Sequence, residues 1–463
     1  MIQPSGLRVP ALLVAAVAIA YLNAFAGVFQ FDDYKVIVGE PTVHSLAAWL
    51  ADLGHGIRPL LKLTYALNWT LGPGEAGFHA FNLAVHLVNT MLVYALAQRL
   101  SERHGLDAGR DARVAAVVAA LLFGLHPAHT EAVTYISGRS SSLMTAFYLG
   151  GLLAYADGSA RGHRWLLYGL SPALFAMAIA TKEAAVSFPL ALLWWEACRR
   201  EGRPGWREIA RRQAMHLLVL LVAVATLLAH PVYGVRVVPA LDVQSLGRNL
   251  LSQVDAITYL VLRLVRLHSL NIDPDLRMAS AWNLTLAVEA AFLLALCVAG
   301  FLSLRRRPWW GLGIAWFFLA LLPTNSLLPR PDLANDRHLY LAGFGLLVAV
   351  GIEVSRMTRA SSPARRWTWP PAAAAIVLLG AATATRNLDY ASEIRLWEQT
   401  ARGSPEKPRV FNNLGHAYGE AGRLDFAERA YREALRLHPG YELARENLEV
   451  VMRRIGESAS PAR

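Results

Sequence analysis

The chain has 463 residues, 55% of them apolar, and a formal charge of +11. With a positive mean hydropathy at that length, an ordinary soluble globular enzyme is excluded. The basic residues do not spread over one face, as a nucleic-acid footprint would. They collect in the short stretches 99–113, 199–212, 305–307 and 356–366 between apolar runs. That is the positive-inside pattern of a membrane protein, so lipid is an expected partner and nucleic acid is not.

Apolar runs place spans at about 9–28, 78–99, 113–128, 140–157, 165–181, 184–198, 213–230, 283–304, 309–327, 338–357 and 369–386, about eleven in all. The first ends in Ala24-Phe25-Ala26, which is like a signal-peptidase site. It reads as an uncleaved anchor, because the run is long and only Arg8 precedes it. Just past it stands Phe31-Asp32-Asp33. Adjacent carboxylates at the mouth of a membrane helix must find partners or water, and such residues usually have a function. The loop 29–77 carries amphipathic pieces at 44–52 and 59–71, expected as helices on the membrane surface, separated by turn residues such as Gly54, Gly56 and Pro73.

The stretch 250–270 is apolar but interrupted by Arg263, Arg266 and His268. The basic loops share one side only if 231–282 begins and ends on the other. The stretch is then re-entrant or lies along the interface. The N-terminus falls inside, and the C-terminal tail is extracytoplasmic, in a bacterial periplasm or a lumenal equivalent. Cys198 and Cys297 lie in apolar runs and read as packing residues.

At about residue 387 the chain turns charged and helical. Phe411-x-x-Leu414-Gly415-x-x-Tyr418, then Ala427, Tyr431, Ala434 and Pro439, is a tetratricopeptide pattern with Phe where Trp is usual. The full repeat covers about 408–441. Trp397 and Pro405 keep its register before it, and Leu448 after it. One repeat buries too little core alone, so the tail is expected to dock on the outer loops or on a partner. The fold class is all-α: a polytopic helix bundle over 1–386, and a small extracytoplasmic repeat domain over 387–463.

These residues resemble the transmembrane and tetratricopeptide-repeat-containing proteins, a group of GT-C-type glycosyltransferases that use lipid-phosphate sugars. The resemblance rests on Phe29-x-Phe31-Asp32-Asp33, Arg58-Pro59-Leu60 with Thr64, Tyr65 and Asn68, and Phe78-His79-x-x-Asn82-x-x-x-His86. It continues through His126-Pro127-x-His129-x-Glu131 with Gly138-Arg139, Lys182-Glu183, and Asp336-Arg337-x-x-Tyr340. The chain departs from the family at Ser140-Ser141-Ser142, where an acid is typical, at Asp336 in place of Glu, and at Ala342 in place of Pro. The resemblance implies transfer of mannose or a similar hexose from a polyprenyl-phosphate carrier to protein hydroxyls, with inversion in a single displacement.

Such a transfer needs a base for the acceptor proton and cations for the departing phosphate. Asp32 and Asp33 are the base candidates. Adjacent side chains point apart, so one is expected to act and the other to orient a neighbour or a metal. The alternative is a solvated pair ending a helix. Glu131, with His126 and His129, is a further catalytic or acceptor-contact candidate, against a plain interfacial cap. Arg58, Arg139, Lys182, Arg330 and Arg337 run against the positive-inside bias and are phosphate candidates. Their alternative is ion pairing, Arg337 with Asp336 and Lys182 with Glu183. His79 and His86 read as polar packing between helices. Phe411, Asn412 and Tyr418 of the repeat are the acceptor-contact candidates. No cofactor is evident, and the sequence leaves a divalent metal open.

Two rivals stand beside a protein O-glycosyltransferase. One is transfer of the same donor sugar to a lipid or surface glycan. The other is a non-catalytic scaffold that assembles partners on the repeat. A transporter fits less well, since the spans show no internal duplication.

Overall fold

The computed structural model describes residues 4–199, 202, 204–230, 243–267, 270–326, 330, 332–359 and 365–459. Among these the secondary structure is helical throughout. Six helices are long and apolar enough to cross a membrane, and seven if the bent pair Arg110–Gly124 and Pro127–Val133 is one span. Each of the eleven expected runs coincides with a helix. The remaining ones, such as Arg139–Arg161, Phe188–Ala197 and Pro308–Leu321, are shorter or less apolar than a free-standing span requires.

The centre of the bundle is the Leu339–Met357 helix, which packs on Arg110–Gly124 and Pro308–Leu321. Small side chains such as Ala112, Ala115, Ala116 and Ala119 line the first contact, and all are buried. In hydrocarbon, close packing of small residues replaces the hydrophobic drive between helices. The peripheral helices Trp206–Ala229 and Leu284–Ser303 turn Leu221, Leu228, Leu294 and Phe301 outward, as lipid-facing surfaces do. Cys297 is exposed on one of these helices, so the expected packing role holds only for the buried Cys198.

The first outer loop contains the helices Leu46–Asp52 and Pro59–Leu71, as its amphipathic pieces predict. Ser45 caps the first by accepting from the Ala48 N–H. The interrupted stretch 250–270 forms the latter part of a Val243–Arg263 helix; His268 lies outside the described residues. That helix buries Asn249, Ser252, Gln253, Ala256 and Leu260 along one face, where Gln253 accepts from Asn325.

The tail forms four helices, Glu393–Gly403, Pro408–Glu420, Leu424–Leu437 and Glu442–Ala459. Gly415 lies against the Tyr431 ring, where a Cβ would come within 2.8 Å of it. The tail docks on the segments around residues 135 and 272 of the bundle. Tyr135, Ile272 and Tyr390 share one apolar cluster with Leu396, Trp397, Val410 and Leu414. Beside it Asp273, 1% exposed, pairs with Lys407 at 2.5 Å and Arg409 at 2.6 Å, and Arg409 also reaches Asp332 at 2.6 Å.

Candidate active site at one end of the bundle

The two aspartates have different surroundings. Asp33 is fully buried, and its Oδ1 and Oδ2 accept from the backbone N–H groups of Ser137 (2.8 Å) and Gln30 (3.0 Å). Burial lifts its carboxyl from the usual range to about 7, against the lowering effect of these bonds. Its carboxylate is thus committed to the fold. Asp32 is half-buried; its N–H donates to the Tyr135 hydroxyl at 3.0 Å. No hydrogen bond or ion pair occupies its carboxylate among the described residues.

The turn 126–139 that receives Asp33 is folded tightly on itself. A Cβ at Gly138 would fall 1.9 Å from the Glu131 carbonyl oxygen, so only glycine allows the approach. Arg139, 0% exposed, follows it. Its Nε donates to Asn82 at 2.6 Å, Nη1 to Thr64 at 3.2 Å and Nη2 to the Phe78 carbonyl at 3.1 Å, with Phe81 stacked 4.4 Å away. With all three nitrogens committed and no path to solvent, Arg139 does not fit the expected phosphate role. It ties together the helices that begin near residues 59, 75 and 139.

Neither of the two ion pairs weighed as the alternative forms. Glu183 pairs with Arg58 (Nη2–Oε2 2.8 Å, Nε–Oε1 3.0 Å) and not with Lys182. Glu131, 2% exposed, takes the place assigned to Asp336: its Oε2 accepts from the Arg337 N–H at 3.0 Å, and its Oε1 lies 3.6 Å from Nε. Asp336 instead accepts from Tyr259 at 3.2 Å. Sequence neighbours on a tight turn point apart, whereas residues 206 positions apart meet across it.

Lys182 is 6% exposed, and its ammonium donates to the Ser141 hydroxyl at 2.7 Å. Burial, then the charges of Arg337, Arg58 and Arg330, hold its pKa well below the lysine range. Arg330 is depressed likewise, by burial and then by Arg58. Among the described residues neither has a carboxylate within ion-pair distance. The Ser140-Ser141-Ser142 departure thus supplies a neutral contact to the lysine and leaves its charge unbalanced. Asp32 lies close enough to Arg337 to interact with its charge. A half-buried carboxylate without a partner thus stands beside Arg337, which shares its neighbourhood with three further cations.

Two non-glycine residues among those described have left-handed backbones, Phe31 (φ 49°) and Arg58 (φ 57°), and both flank this site. Each costs about 1–3 kcal/mol and persists only where its surroundings impose it.

His79 packs on the Gly27 carbonyl and His86 on Tyr340 and the Gly124 carbonyl, the predicted interhelical contacts. His126 and His129 bond to the carbonyls of Leu264 and Phe123. Among the described residues no three His, Cys, Asp or Glu side chains gather as a metal site.

In the repeat, Asn412 and Tyr418 are buried. Asn412 accepts from Asn447 at 3.0 Å, and Tyr418 donates to Glu398 at 2.6 Å. These internal bonds correct their assignment as acceptor contacts. Phe411 stays half-exposed. Sequence reasoning missed Tyr135, Ser141 and the grip on Phe31 by Trp397 and Arg409. Trp397 carried a signal, as an aromatic in repeat register, but that register does not say what it touches.

Residues 408–441 match the tetratricopeptide repeat family. The chain is 25% identical over 95% of its length to a Caenorhabditis elegans protein named Protein O-mannosyl-transferase F38B6.6, covering 64% of that protein. It is 27% identical over 82% of its length to Protein O-mannosyl-transferase Tmtc3 of Drosophila melanogaster, covering 48% of it. Human Protein O-mannosyl-transferase TMTC4 is 30% identical over 38% of this chain and 27% of its own. The similarity expected from the motifs thus extends over most of the chain. The chain spans about half to two thirds of the length of the relatives it matches over most of its own length.

Proposed function

We propose that the chain is a membrane glycosyltransferase that moves mannose or a related hexose from a polyprenyl-phosphate carrier to Ser and Thr hydroxyls of extracytoplasmic proteins. The observation that carries this reading is the division of labour in the aspartate pair. Asp33 is locked into the fold, and the Asp32 carboxylate is left open beside Arg337, itself one of a group of four cations. The names of its relatives support the same activity.

In this reading Asp32 takes the proton of the acceptor hydroxyl as the oxygen attacks the anomeric carbon. The bond from that carbon to the phosphate oxygen breaks, and the phosphate keeps the electron pair. Lys182 and Arg330 meet the growing charge, with Arg337 and Arg58 beside them. Glu131 and Glu183 hold those two arginines in place, so Glu131 acts by positioning. The lysine and arginine surplus of the connecting loops supports a cytoplasmic N-terminus, with this site and the repeat on the opposite side.

The test is the purified chain in lipid vesicles with polyprenyl-phosphate mannose and a threonine-containing peptide. The product is a mannosylated peptide. Asp32→Asn lowers its rate by about 10²–10⁴ while the protein remains folded. Transfer that survives Asp32→Asn overturns the assignment. Cells lacking the chain that lose a surface glycan but no protein-linked hexose would favour the glycan-transfer rival.

A further inference from the structure

The strained residue beside the base is held from the repeat side. The Phe31 ring stands edge-on to Trp397, centroids 5.2 Å apart, and the Arg409 guanidinium lies 5.9 Å over the same ring. One residue group earlier, the Tyr390 carbonyl accepts from the Val28 N–H at 3.2 Å and from the Gln30 side chain. Residues 28–31 are therefore gripped by 390–409, whereas Asp33 is gripped by the turn at Ser137. Asp32 sits between the two grips, with its N–H on Tyr135.

Arg409 is itself immobilised by Asp273 and Asp332, and Trp397 is 2% exposed in the core shared by repeat and loops. A left-handed phenylalanine returns to an ordinary backbone conformation unless its ring is held. If it returned, the carboxylate of the next residue would swing with it.

We infer that Trp397 and Arg409 are positioning residues for Asp32, so that the first two helices of the tail help to build the catalytic centre and are not only a docking module for the acceptor. This rests on the reading of Asp32 as the base. Recruitment alone and positioning differ in kinetics. A docking helix acts on the KM of the peptide, and a positioning helix acts on kcat.

The experiment uses the full chain in vesicles, with polyprenyl-phosphate mannose and a short threonine peptide. Trp397→Ala lowers kcat on the order of tenfold to 100-fold, with the KM for peptide little changed. Trp397→Phe keeps an aromatic edge and restores most of the rate. Phe31→Ala removes the ring from the edge of that core without altering any residue of the tail helices, and it lowers kcat to the same extent. The double variant falls no further than either single one, because both break the same contact. Protease resistance of the repeat reports whether it stays folded in each variant. A rise in peptide KM at unchanged kcat in the folded variants overturns the inference, and so do additive losses. If Asp32→Asn abolishes transfer and these variants do not, positioning fails while the base assignment stands. If Asp32→Asn is active, both fall together.

Discussion

The two ends of the helix bundle treat buried charge in opposite ways. At the end away from the aspartates, Glu196 is 3% exposed and lies between Arg199 at 3.2 Å and Arg212 at 3.3 Å, with Tyr155 donating to it at 3.0 Å. Nearby, Arg99 pairs with Asp157 at 2.9 Å, and Arg103 donates to the Trp195 carbonyl while stacking on its ring. At the aspartate end a buried lysine donates to a serine hydroxyl, and among the described residues neither it nor Arg330 has a carboxylate within ion-pair distance. Compensated charge is what folding alone produces, because an uncompensated buried ion is costly. The uncompensated end is where a ligand's charge would complete the structure.

Substitutions at the two ends test that contrast, beginning with the largest effect. Lys182→Gln removes the central cation and lowers kcat/KM for the polyprenyl-phosphate donor on the order of 10²–10³, with unfolding little affected. It can even stabilise the empty protein, since it removes a like-charge contact with Arg58, Arg330 and Arg337. A marked loss of thermal stability in place of activity would erase the distinction. Glu196→Gln behaves in the opposite way. It removes the acid shared by Arg199 and Arg212, of which Arg212 keeps Glu208 at 2.8 Å, and costs about 1–2 kcal/mol, below the cost of breaking a buried pair because both arginines reach solvent. Thermal unfolding in detergent measures that loss, while transfer by the folded fraction stays at the parent rate.

The smallest effect is a pH slope. Asp33 gives up its proton at about 7 in the folded chain and near 3.8 when unfolded. Between those values the folded state binds more protons, so stability is greatest below the lower one and falls as pH rises to the upper. Asp33→Asn flattens this slope, which amounts to at most a few kcal/mol. Unfolding midpoints that show no difference between the two proteins across that window would remove the burial argument for Asp33.

Much of the site could be read along the chain. Phe31-Asp32-Asp33, Glu131, Lys182 and Arg337 were all named from spacing and membrane position, and all come to the same end of the bundle. Their partners were not legible. Lys182 and Glu183 are neighbours in sequence, yet the acid faces Arg58 and the lysine faces Ser141. Arg139 follows a glycine in a motif that suggests a ligand site, yet packing has engaged all three of its guanidinium nitrogens.

By itself the sequence determined the helical runs, the repeat and the residue types of the loops that join them, because hydrophobicity and helix register act over a few turns of chain. Only the tertiary structure decided which aspartate is held and which is open. That choice depends on the N–H groups of Gln30 and Ser137, one of them 104 positions away, converging on a single carboxylate. It likewise decided that Trp397 of the repeat rests on Phe31, since contact between distant segments follows from the packed core and has no trace in local pattern.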